Sequence, residues 1–102
     1  MYIYNVTVHV DDSVIEDWLT WIKPHIKEVI ATGKFTKAIM TEVLADQDSG
    51  GRTFSIQYTS NSREDLDKYY EEDAPKLRTD GLVRFSNKVL AFRTELKIID
   101  EF

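Results

Sequence analysis

Tyr2-Ile3-Tyr4-Asn5-Val6-Thr7-Val8-His9-Val10 opens the chain with a two-residue alternation. Tyr2, Tyr4, Val6, Val8 and Val10 share one face of a strand, and Ile3, Asn5, Thr7 and His9 share the other. Asp11-Asp12-Ser13 follows with side-chain oxygens suited to capping, and Ser13 with Glu16 has the spacing of a capping box. A helix is predicted over about residues 13–32. Val14 or Ile15, Trp18, Ile22, Ile26 and Val29 line its inner side, widened by Leu19 and Ile30. Pro24 lacks the N–H that would reach the Thr20 carbonyl, which predicts a kink or break near residues 22–25. Gly33 is a natural stop.

Residues 35–45 and 52–60 read as strands, joined by the turn residues Asp46-Gln-Asp-Ser-Gly-Gly51. Asn61-Ser62-Arg-Glu-Asp65 starts a second helix with a cap and first-turn acids. Its inner stripe is Leu66, Tyr69 or Tyr70, Ala74 and Leu77, interrupted by Pro75 near the end. Thr79-Asp80-Gly81 reads as the turn back. A long last strand is predicted over residues 85–99, with Leu90, Phe92, Leu96 and Ile98 on one side. The β-α-β-β-α-β order predicts an α+β fold, a ferredoxin-like sandwich filling residues 1–102 as one domain. Its four-stranded antiparallel sheet would carry both helices on one face.

Giving the more apolar face of each strand to the helices leaves an open face of Asn5, Thr7 and His9, then Thr53, Ser55, Gln57 and Thr59, then Asn87, Arg93 and Glu95. A wholly solvated sheet face would carry more Lys and Glu. Uncharged amides and hydroxyls suit a surface shared with another subunit, or one lining a wet cavity. With the long last strand, this predicts a homodimer whose sheets pair as a barrel.

Thirteen Lys and Arg against eighteen Asp and Glu give a net charge of −5, which works against nucleic acid or anionic lipid as partner. Arg52-Thr-Phe-Ser-Ile-Gln-Tyr58 lacks the glycines of an RNA-recognition strand. No apolar run is long enough to span a membrane and no signal peptide is visible, so a soluble protein is expected. The absence of cysteine fits a reducing, cytoplasmic setting. Neither histidine has a partner at metal-ligand spacing, and no metal or cofactor is expected.

Two side-chain groups are candidates for ligand binding. Trp18, Trp21 and His25 stack along one side of the first helix, where two indoles form an apolar wall and the imidazole can act as base or ligand. Asn5, His9, Gln57 and Arg93 form the alternative, an open-face site in which Arg93 anchors a carboxylate or phosphate. On this reading the two sites lie on opposite sides of the sheet.

The run Trp18-Leu-Thr-Trp21-Ile-Lys-Pro24-His25-Ile26-Lys-Glu-Val29-Ile-Ala-Thr-Gly33-Lys-Phe35 resembles the first helix and turn of dimeric α+β barrel proteins. Over nearly its whole length the chain resembles a small bacterial family annotated only as a domain of unknown function. Tyr4-Asn5-Val6-Thr7-Val8, Ala31-Thr32-Gly33-Lys34-Phe35 and Ala74-Pro75-Lys-Leu77-Arg78 carry that likeness. So do Arg84-Phe85-Ser-Asn87-Lys88-Val89 and Ala91-Phe92-Arg93-Thr94. Pro24 stands before His25-Ile26 where the wider superfamily places its proline after. That superfamily includes cofactor-free monooxygenases, haem-degrading enzymes, isomerases and non-catalytic members. The resemblance implies either a homodimeric binding or interaction module of unassigned role, for instance one sensing a small acid, or a cofactor-free or haem-dependent oxidoreductase or isomerase acting on a small molecule. An enclosed pocket holding an imidazole of shifted pKa favours the enzyme; a filled interior favours the module.

Overall fold

The computed structural model describes residues 1–44 and 50–102. Strand β1 (Tyr2–Asp11) leads through a short 3-10 turn into α1 (Ile15–Ala31). Then come β2 (Lys37–Glu42), β3 (Gly51–Ser60), α2 (Arg63–Glu72), α3 (Ala74–Phe85) and β4 (Val89–Lys97). The sheet order is β2-β3-β1-β4, with every neighbouring pair antiparallel. This is the ferredoxin-like arrangement. Most of the predicted hairpin loop, Asp46 to Ser49, lies outside the described residues.

The alternation in β1 translates directly into packing. Tyr4, Val8 and Val10 are buried beneath the helices, opposite Tyr58, Phe54 and Arg52 of β3 in register. Trp18 of α1 is 1% exposed and stacks on Phe54 with ring centroids 4.9 Å apart. Phe35 and Tyr69 pack edge to face at 4.8 Å, against Tyr4. Leu66 is fully buried, which contributes about 1.5–3 kcal/mol.

Several local expectations are overturned. Asp11, not Ser13, does the capping, by accepting from the Ser13 backbone N–H at 2.9 Å and its hydroxyl at 2.6 Å. Val14 then precedes α1 with no side-chain cap, so the capping box does not form. Helix α1 runs without a break through Pro24. Thr20 and Pro24 are both exposed, so the carbonyl that Pro24 cannot satisfy meets water.

The second helix is two helices. Asp73 (φ −120, ψ −40) ends α2 by donating to the Tyr69 carbonyl and opens α3 by accepting from Leu77 N–H. Pro75 falls in the first turn of α3, where a missing N–H is harmless. Lys34 clamps the joint, reaching Glu72 at 3.1 Å and Asp73 at 3.0 Å. Thr79-Asp80-Gly81 is not a turn: α3 continues through it to Phe85. The chain reverses at Ser86, whose φ of 52 is a rare conformation for a residue with a Cβ.

The face assignment of β4 is reversed. Val6 pairs with Arg93 and Tyr4 with Glu95, so Arg93 and Glu95 share the helix side with the core of β1. Leu90, Phe92 and Leu96 instead lie on the open face, 54%, 65% and 41% exposed. The last strand is also shorter than predicted at its start, because residues 85–88 belong to the end of α3 and the turn after it.

Candidate functional site

A cavity of about 370 Å³ lies between the helices and the sheet. Its floor is Tyr4, Val6 and Val8 of β1 with Ile56 and Tyr58 of β3. Helix α1 contributes Trp18, Trp21, Ile22, His25 and Val29; α3 contributes Leu77, Arg78, Gly81, Leu82 and Phe85. Strand β4 closes the remaining side with Val89 to Ala91 and Arg93.

The helical repeat explains which side chains arrive. In α3 the residues Ala74, Leu77, Arg78, Gly81, Leu82 and Phe85 recur at three- and four-residue steps, and so share one face. Gly81 is needed for close approach: a Cβ there would sit 3.2 Å from Trp21 Cη2. Trp21 therefore packs close against α3. It stacks on His25 at 4.4 Å with ring planes 23° apart, and meets Phe85 edge-on at 5.4 Å. Trp18, Trp21 and His25 are brought together on the cavity wall, although Trp18 is also core.

His25 is pushed below its ordinary 6.5, chiefly by burial and further by Arg93, with Glu28 and Asp80 pulling the other way. Among the described residues neither ring nitrogen has a hydrogen-bond partner. Tyr58 and Tyr69 are pushed up by burial, so both hydroxyls stay protonated. Arg78 and Arg93 oppose that rise at Tyr69.

The alternative group does not assemble. Asn5, His9 and Gln57 stand on the open face, while Arg93 stands on the other. Asn5 donates to the Thr7 hydroxyl at 3.1 Å and accepts from Ser55 at 2.6 Å, and His9 Nδ1 bonds Thr53 Oγ1 at 3.0 Å. Arg93 joins the helix-side cavity with Trp21 and His25, so the two candidate groups exchange a member. Glu95, two residues on, cannot neutralise it, being held by Arg63 at 2.7 Å and by the Tyr70 hydroxyl.

Arg78 was not singled out from sequence. It stands one residue past Leu77 and four past Ala74, a spacing that puts it on the inner stripe. Its Nη2 donates to the Tyr4 hydroxyl at 3.0 Å, and its guanidinium carbon lies 5.9 Å from the centre of the Tyr70 ring. Among the described residues its buried Nε–H has no acceptor. No group of three His, Asp or Glu side chains among the described residues is placed to hold a metal ion, and no helix is long and apolar enough to cross a membrane.

A ferredoxin-like domain with a cavity between helices and sheet is the class this geometry defines. Residues 1–99 match the domain of unknown function DUF4286, and the chain belongs to that family. No curated protein matches the sequence. Among solved structures it is similar to a dimeric ferredoxin-like protein from an uncultured marine organism, at 13% identity and TM-score 0.70, over 100% of this chain and 98% of that one. It is also similar to a Deinococcus radiodurans protein described as a candidate antibiotic biosynthesis monooxygenase. That match has 13% identity and TM-score 0.68 over 100% and 96% of the two chains. A third is an ethyl tert-butyl ether d (ethd) family protein from Bacillus halodurans, at 12% identity and TM-score 0.66 over 97% and 100%. At these identities the likeness establishes the fold alone.

Proposed function

We propose that this protein is a homodimeric module that binds a small molecule in the cavity between α1, α3 and the sheet. The observation that carries the reading is the cavity itself. About 370 Å³ of largely apolar wall with a few polar groups is the usual make-up of a small-ligand pocket. Dimerisation through the open face is supported by Leu90, Phe92 and Leu96, which expose apolar surface there, and by the uncharged Asn5, Thr7 and Ser55 beside them. The similar marine protein is described as dimeric. The cysteine-free sequence is compatible with a cytoplasmic setting.

The cavity is not filled and holds an imidazole of lowered pKa, the combination expected of an enzyme, and this favours a second reading, catalysis without a cofactor. His25 could take a proton from a bound molecule. The wall offers it no acid to orient the ring, since it carries no Asp or Glu among the described residues. A haem fits this space poorly, because 370 Å³ is at the small end for ligand pockets. Native mass spectrometry of protein purified from its source tests the main reading. The expected result is twice the 11.9 kDa protomer mass plus a retained small molecule. A bare protomer at micromolar concentration would overturn it.

A further inference from the structure

We infer that the cavity takes a carboxylate on an apolar, preferably aromatic, body, and that Arg78 and Arg93 hold the carboxylate. The inference rests on the cavity being a binding site and specifies what it binds. In a chain with eighteen acids and thirteen bases, the described cavity wall carries two arginines, one histidine and no acid. Outside the wall Arg52 pairs with Glu42 at 2.7 Å and Arg63 with Glu95 and Asp67, while Arg84 has no ion pair among the described residues and lies over the Phe85 ring. Neither Arg78 nor Arg93 has an ion pair among the described residues. A wall that keeps its cations and excludes acids is complementary to an anion.

Arg78 is held in place before any ligand arrives. Its Nη2 donates to the Tyr4 hydroxyl, and its guanidinium carbon lies 5.9 Å from the centre of the Tyr70 ring. That leaves the buried Nε–H without an acceptor among the described residues. Such a group is costly unless something accepts from it, and a carboxylate matches the geometry of a guanidinium fork. Arg93 is a second cation on the cavity wall, standing opposite Val6 of β1 at an exposed position. Trp21 and Phe85 supply the face on which a planar apolar body packs. A carboxylate is chosen over a phosphate because its two oxygens match one guanidinium fork and its single charge suits a mostly apolar wall, whose further polar groups include Tyr58, Tyr69, His25 and Ser86.

Phenylacetate and its neutral counterpart phenylacetamide separate charge from shape, with binding read by calorimetry. The acid is expected to bind at least tenfold more tightly than the amide. Arg78→Gln is expected to weaken the acid at least tenfold and the amide less than twofold. Arg93→Gln, at an exposed strand position, should weaken the acid severalfold in the same selective way. Equal binding of acid and amide would overturn the inference while leaving the cavity as a site. Binding of benzylphosphonate more tightly than phenylacetate would overturn the choice of carboxylate. Failure of both phenylacetate and phenylacetamide to bind would overturn the cavity reading and this inference with it.

Discussion

Gly81→Ala sets two effects of known size against each other. In an open helix interior alanine is favoured over glycine by about 0.8–1 kcal/mol. A Cβ at position 81 would lie 3.2 Å from Trp21 Cη2, with Cζ2 at 3.8 Å and Cζ3 at 4.0 Å. The nearest contact is inside the roughly 3.5–4.0 Å at which carbon atoms attract, so the indole must move by a few tenths of an ångström. It cannot do so freely, because His25 stacks on one side at 4.4 Å and Phe85 meets it at 5.4 Å. Overfilling a packed site costs roughly 1–3 kcal/mol. Subtracting the propensity gain leaves a net loss between about zero and 2 kcal/mol. Urea denaturation measures that balance, and the indole N–H resonance of Trp21 reports whether the ring moves. A stabilised variant, with a gain near 1 kcal/mol and an unmoved Trp21 resonance, would refute the claim that Gly81 exists to admit Trp21.

Further outcomes follow from the same geometry. Ser86→Gly relieves a φ of 52 and should raise stability by about 1 kcal/mol in thermal or urea unfolding; a destabilised variant would contradict the strain. Leu66→Ala empties a fully buried position and should cost about 2–5 kcal/mol by denaturant titration. Burial holds His25 below 6.5, so the unfolded chain takes up its proton first. The stability due to neutral His25 is complete above pH 6.5 and declines as pH falls from 6.5 toward the folded-state value. His25→Gln should flatten that decline. Asp11, Glu42 and Glu95, held low by Ser13, Arg52 and Arg63, titrate below their ordinary 3.8 and 4.5 and leave the window clear.

The fold was legible wherever a segment's own pattern decided its environment. The alternation in β1 separates apolar from polar side chains and therefore names its buried face. Trp18, Trp21 and His25 meet because helical spacing is enough to bring them together. The pattern of β4 misleads for a physical reason. Alternation says that Leu90, Phe92 and Leu96 share a face, but not which face the helices cover. Strand β4 is an edge strand, so its helix-side positions can stay solvated as Arg93 and Glu95, while its apolar side chains go to the open face. Thr79-Asp80-Gly81 has turn composition, yet the glycine there answers a tertiary demand from Trp21 that no local signal carries. Arg78 escaped notice because a charged residue beside an apolar stripe ordinarily reads as solvated.

The two sides of the sheet offer competing places for a ligand, and one titration separates them. The amide and indole NMR signals are followed as phenylacetate is added to the intact protein. The cavity account predicts that shifts concentrate at Trp21, His25, Gly81 and Arg93, with the Trp21 indole moving most. Shifts confined to Asn5, His9 and Gln57, with Trp21 unmoved, would contradict it and place the site on the open face.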